Sequence, residues 1–149
     1  MFRDILVAID GSESAARALE EAGELAQAMN ARLTLISVAP QIPGLAYRAG
    51  VNVEAMEREA EAEADKILRE AVASLPNDLP VTTLLKHGHA GEEIVKQVES
   101  EGHDLVILGS RGRGRVASNL LGSVGAHVHF HARVALLVVY PDESASASS

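Results

Sequence analysis

The chain has 149 residues, no cysteine, and 21 acidic side chains against 13 Lys plus Arg, for a net charge of −8 with His neutral. That length suits one domain burying about 70% of its unfolded surface, and an apolar content of 47% excludes wholesale disorder. The missing cysteine excludes a disulfide scaffold, a thiol redox enzyme and a Cys zinc site, while the acidic balance opposes sequence-independent nucleic-acid binding, whose affinity comes from neutralising phosphates.

Ile5 to Ile9 (ILVAI) is short, aliphatic and β-rich, as a strand buried on both faces should be. Asp10-Gly11-Ser12-Glu13 then reads as a turn into a helix. Ala15, Leu19, Ala22, Ala26 and Met29 recur at three or four residues, one helical face. Asn30 fits the left-handed residue that closes such a helix. Leu33 to Val38 is a second strand. Ala39 to Asn52 carries Pro40, Pro43, Gly44 and Gly50 and reads as a loop, long enough for a lid or a contact surface.

A second helix is expected over Val53 to Leu75, with an acidic outer side that reads as a solvated face. Val81 to Leu85 is a third strand, Glu92 to Glu99 a third helix, and Leu105 to Leu108 a fourth strand. A Gly- and Arg-rich loop and a fourth helix to about Ala132 lead into a fifth strand, Val134 to Tyr140. The expected domain is 1–141, with 142–149 (DESASASS) a disordered polar tail. Strands alternating with helices imply an α/β fold with a parallel sheet covered on both faces. The apolar runs are too short to span a membrane. The early Asp4 and Asp10 are wrong for a signal peptide, so a cytoplasmic protein is expected.

In such sheets ligands bind beyond the carboxyl ends of strands, where strand order reverses. Two strand ends stand out: Asp10-Gly11-Ser12, and Gly109-Ser110-Arg111-Gly112-Arg113-Gly114-Arg115. Glycines let backbone N–H groups turn inward before a helix N-terminus, which makes an anion site, and three arginines add cationic charge. A tight turn with solvated arginines is the competing reading. A Walker A loop is absent, since no Gly-Lys-Ser/Thr occurs. Gly112-x-Gly114-x-x-Ala117 matches the dinucleotide fingerprint, but no Asp or Glu lies between Leu105 and Pro141 to hold a ribose, which excludes NAD or FAD. A phosphorelay receiver is also excluded, since it needs an Asp after strand three and a Lys after strand five, where this chain has Lys86-His87-Gly88 and Tyr140-Pro141.

A longer pattern does match. Gly109-x2-Gly112-x9-Gly122-Ser123 resembles the nucleotide-binding signature of the universal stress protein family. The flanking DLVILGSRG and LLGSV, the opening ILVAIDGS and Gly88-His89-Ala90-Gly91-Glu92-Glu93-Ile94 are similar to that family's wording, in its order, from about Phe2 to Tyr140. The resemblance implies a five-stranded sheet of order 3-2-1-4-5, and a dimer that pairs through strand five. Retention of every signature glycine points to the ATP-binding branch. Carried over residue by residue, it assigns Ala8, Ile9, Asp10 and Val38 to base and ribose. It assigns Gly109, Ser110, Arg111, Gly112, Arg113, Gly114 and Arg115, with Gly122, Ser123 and Val124, to phosphates. A carboxylate can accept ribose hydroxyl protons and a serine can donate to phosphate oxygen. Ala8 and Ala135 stand where many members have proline, so entry into the last strand is where the pattern departs.

The function implied is a sensor that binds ATP, with Mg or Mn held chiefly through the phosphates and hydrolysis slow or absent. The loop after the fourth strand offers arginines but no Gln, Glu or Asp to position a water. AMP or cyclic AMP, or a nucleotide-independent dimeric module, is the alternative. His127, His129 and His131 fall on the fourth helix, 127 and 131 sharing a face, and read as helix surface rather than metal ligands. His87, His89 and His103 receive no role. The Arg-Gly repeat is not a DNA hook, because no aromatic interleaves it. By region, Leu105 to Pro141 carries +4, which leaves −12 elsewhere (−8 less 4), so the acidic total conceals a basic strip at the glycine loop.

Overall fold

Aliphatic runs become strands and the segments of helical period become helices: β1 (Asp4–Ala8), α1 (Glu13–Met29), β2 (Arg32–Pro40), α2 (Gly44–Arg48), α3 (Val53–Ser74), β3 (Val81–Gly88), α4 (Ala90–Glu101), β4 (Leu105–Gly109), α5 (Gly122–His131) and β5 (Ala135–Val139). The computed structural model describes residues 1–110 and 122–141. All strand pairings are parallel and the order is β3-β2-β1-β4-β5. Alternation of elements predicted the parallel sheet; the order follows the family resemblance.

Side chains alternate across the sheet. Ile5, Val7 and Ile9 pack with Ala18, Leu19 and Ala22 of α1 and with Leu68 and Ala71 of α3. Leu6 points the other way, into a second core with Ile36, Val106, Leu108, Ile94 and Val128. Covering both faces explains why the central strands are unbroken apolar runs. Helix ends follow local rules. The Ser12 hydroxyl accepts the Ala15 N–H at 3.2 Å to open α1, and Asn30, at φ 54°, closes it in the left-handed region. Asn52 caps α3 by accepting the Ala55 N–H at 3.1 Å.

Two expectations change. β2 runs on to Pro40 and β3 to Gly88, paired from Val38↔Lys86 to Pro40↔Gly88. β3 is an edge strand, so half-buried Lys86 and exposed His87 join the ladder, where an apolar-run criterion stops at Leu85. The expected loop 39–52 also contains α2. Pro43, at φ −61°, sets the backbone for its start, and no residue of α2 is buried, which is why no apolar period announces it.

The amino end of the sheet is tied by a polar knot. The Asp104 carboxylate accepts the N–H groups of Arg3 and Asp4 at 2.9 and 3.0 Å. Buried His103 sets Nδ1 2.9 Å from Asp4 Oδ1 and Nε2 3.1 Å from the Gln97 amide nitrogen. Both contacts are satisfied when Nδ1–H donates to Asp4 and Nε2 accepts from Gln97, the tautomer the network selects. Arg32 adds an ion pair to Asp4 at 3.2 Å.

Candidate functional site

β1 lies between β2 and β4, so the chain leaves it toward one edge of the sheet and returns on its other side. Strand order reverses there, and the crevice beyond the carboxyl ends of β1 and β4 is where this architecture places ligands. A cleft of ≈ 80 Å³ opens at that point. It brings together Ala8, Ile9, Asp10, Val38, Gly109 and Val124, all expected at the site and drawn from β1, β2, β4 and α5. Ala15, Ile36, Ala90, Ile94 and Leu108 complete the wall and escaped the sequence reading. The signal that could have found them is positional, because they are strand ends and first turns around the same crevice.

The lining is mostly aliphatic, with Asp10 as its carboxylate. Asp10 Oδ1 accepts the Ser12 N–H at 2.9 Å, which holds the carboxylate at the turn while Ser12 caps α1. Pockets that enclose a whole ligand measure ~300–1,000 Å³. The cleft is therefore the size of one moiety, and the rest of a nucleotide would extend from it.

The direction of that extension follows from helix ends. α1, α3 and α4 carry Glu13, Glu54 and Glu92 with Glu93 in their first turns, which oppose an anion. α2 and α5 have no acid in their first turns, and of these two α5, which begins Gly122-Ser123-Val124, contributes Val124 to the cleft, so its N-terminus is suited to phosphate there. Ser123 is exposed there, and Val124 reaches the cleft.

Gly109 and Gly122 have a structural duty besides any binding role. A Cβ on Gly109 would stand 2.5 Å from Ser14 Oγ and 2.7 Å from the Ala15 nitrogen, so β4 can meet the start of α1 only without one. Gly122 has φ +74°, and a Cβ there would stand 2.8 Å from the Ser110 carbonyl oxygen. Ser110 is 2% exposed, its N–H donates to the Val139 carbonyl at 2.8 Å, and its Oγ has no hydrogen-bond partner among the described residues. A buried hydroxyl without a partner costs roughly 1–3 kcal/mol, a cost a bound acceptor can remove. Arg111, Gly112, Arg113, Gly114 and Arg115 lie outside the described residues.

On α5, the rings of His127 and His131 have centroids 4.3 Å apart, as a shared face requires. His127 packs against Gly91, where a Cβ would come within 2.9 Å of it. Among the described residues no group of three His, Asp or Glu has the geometry to hold a metal ion, and no helix is long and apolar enough to cross a membrane.

An open parallel sheet, helices on both faces, and an apolar cleft lined by Asp10 at the reversal point define a doubly wound α/β protein. The universal stress protein family profile matches residues 1–140, and the chain belongs to that family. It is 36% identical over 141 residues to a universal stress protein of Thermus aquaticus, spanning 93% of this chain and 99% of the relative. The fold is similar to that of UspA from Lactobacillus plantarum, with a TM-score of 0.79 at 23% identity over 93% and 97% of the two chains. A universal stress protein solved in complex with cAMP gives a TM-score of 0.60 at 28% identity over 93% and 97% of the two chains.

Proposed function

We propose that this chain binds an adenine nucleotide, ATP in the first place, as a sensor with slow or no hydrolysis, read through its dimer or a partner protein. The observation that carries the reading is the apolar cleft beside Asp10 where strand order reverses. Base and ribose are assigned to Ala8, Ile9, Asp10 and Val38. The aliphatic wall suits a flat base, and the carboxylate suits ribose hydroxyls. Phosphates are assigned to the α5 N-terminus with Ser110, Gly122, Ser123 and Val124, and to the basic segment Arg111 to Arg115. The Ser110 hydroxyl, without a partner among the described residues, and the acid-free first turn of α5 support that direction. Mg or Mn would be held mainly by the phosphates, since Asp10 is the sole carboxylate among the described residues lining the cleft.

That single carboxylate also limits catalysis. Among the described residues no second acid lines the cleft to orient a water, and turnover is expected to stay below about 1 s⁻¹, the bottom of the ordinary enzyme range. The dimer is assigned to β5, an edge strand whose Leu137 is 40% exposed. Residues 1–141 act as one cytoplasmic domain.

Cyclic AMP is the second reading, favoured by the relative solved with it. The deciding experiment denatures purified protein, identifies any released nucleotide by mass spectrometry, and titrates ATP, AMP and cyclic AMP. Tighter binding of ATP than of the other two supports the first reading. Preference for cyclic AMP supports the second, and equal weak binding of all three overturns the ATP assignment.

A further inference from the structure

Val38 and Ala90 border the nucleotide cleft, and the next elements of chain, Pro40 and His89, border a second and larger one of ≈ 720 Å³. Its walls come from the segment 40–47, from α3 and from the start of α4. Glu57 and Glu61 stand on one side, Glu92 and Glu93 on the other, and Tyr47 at the rim.

Four glutamates face a single lysine among the lining residues. That residue, Lys96, lies 3.2 Å from Glu93. Glu61 meets only the edge of His87 at 3.8 Å. Among the described residues no cation stands within ion-pair distance of Glu57 or Glu92. Like charges one turn apart, as in Glu57 and Glu61, weaken a helix rather than support it.

Beside this negative concavity lies apolar surface. α2 buries none of its residues, Leu45 is 73% exposed, Tyr47 66%, and Val51 just beyond α2 is 44% exposed. A merely solvated acidic face needs neither a concavity nor exposed aromatic and aliphatic side chains. Together they form a surface whose charge complement is cationic and whose rim is apolar.

We propose that this cleft docks a basic, amphipathic segment of a partner protein. Its Lys or Arg side chains meet the four glutamates, and its apolar side chains lie against Tyr47 and Leu45. The Tyr47 ring can also take a cation on its face. The inference names a surface for the partner in the proposed function and rests on that reading only for control by nucleotide. The chain leaves β2 through the nucleotide cleft and enters the docking cleft two residues later, so one strand end serves both.

The test is calorimetric titration of the full chain with a short amphipathic Lys/Leu peptide and with its Glu/Leu counterpart. The Lys/Leu peptide is expected to bind and the Glu/Leu peptide not. The pair Glu57→Gln with Glu61→Gln should weaken binding about tenfold, while Glu20→Gln with Glu24→Gln, an exposed pair on α1, should leave it unchanged. Tyr47→Ala should also weaken it. Equal loss in both glutamate pairs would mean that bulk acidity attracts the peptide, and it overturns the proposal, as does absence of binding. Sedimentation showing self-association that the Glu57/Glu61 pair abolishes would make a second copy the occupant and also overturns it. ATP titrated into the same variants separates the two ideas. Lost ATP binding in the wild type with peptide binding intact removes the nucleotide reading alone.

Discussion

The two ends of the sheet solve opposite problems. At the amino end, Asp4, Gln97, His103 and Asp104 satisfy one another and the backbone within hydrogen-bond distance, and buried His103 has both ring nitrogens engaged. At the carboxyl end, the Ser110 hydroxyl is buried with no partner among the described residues, two glycines replace side chains that would collide, and a cleft stays open beside Asp10. The first arrangement is what a fold does with buried polar groups when only stability matters. The second leaves the Ser110 hydroxyl without a partner among the described residues, polar capacity that the proposed nucleotide would use.

Substitutions can break this contrast. The largest effect is expected from Gly109→Ala, because the new methyl meets backbone as well as side chain at the start of α1. Thermal unfolding should register a loss of about 3 kcal/mol, the upper end for overpacking, together with loss of nucleotide binding. A wild-type melting temperature would mean that α1 moves aside freely. Next comes His103→Ala, which strips a buried partner from Asp4 and Gln97 and should cost about 2 kcal/mol in urea unfolding. Its nucleotide affinity should match the wild type; a matching fall in affinity would erase the division between the two ends.

Asp10→Asn keeps an oxygen to accept the Ser12 N–H, so stability should stay within about 0.5 kcal/mol. Nucleotide affinity should drop about tenfold by calorimetry, equivalent to about 1.4 kcal/mol. An unchanged affinity would remove Asp10 from the ribose. The smallest effect is expected from Ser110→Ala. Nucleotide-free protein should be no less stable, because the hydroxyl it loses has no partner among the described residues. A loss above about 1 kcal/mol would reveal a partner and bring this end closer to the other.

What the sequence disclosed depended on whether the physics was local. The turn Asp10 to Glu13 into α1 and Asn30 as a left-handed stop are decided within four residues, and both stand as expected; that Ser12 is the cap was added by the structure. The parallel sheet followed from alternation, but its order came with the family likeness, since helical connections alone do not rank strand neighbours. Of the cleft residues, Asp10 and Gly109 were legible as strand ends, whereas Val38 and Val124 were legible only through the same likeness. Other features had no signal to read. α2 lacks a buried face, the tail of β3 lacks an apolar run, and His103 finds Asp4 from 99 residues away. Glycines at 109 and 122 were read for the backbone N–H groups they free, whereas their collisions with Ser14 and Ser110 are visible only in three dimensions. The arginines of 111–115 lie outside the described residues, so their part in the site rests on the sequence.

The pairing of Ile5 with Leu105 has a consequence for how the molecule is made. β1 leaves the ribosome before the other described strands, yet it belongs in the middle of the sheet. At ~5–20 residues per second, β4 emerges roughly 5–20 s after β1. Through that interval β1 can pair with β2 alone, and its other edge offers open N–H and C=O groups beside Leu6, a side chain fully buried in the finished protein. The strand that leads into Asp10 is thus synthesised early and enclosed late, and translation speed and chaperone access during that wait govern how much of the chain escapes mispairing.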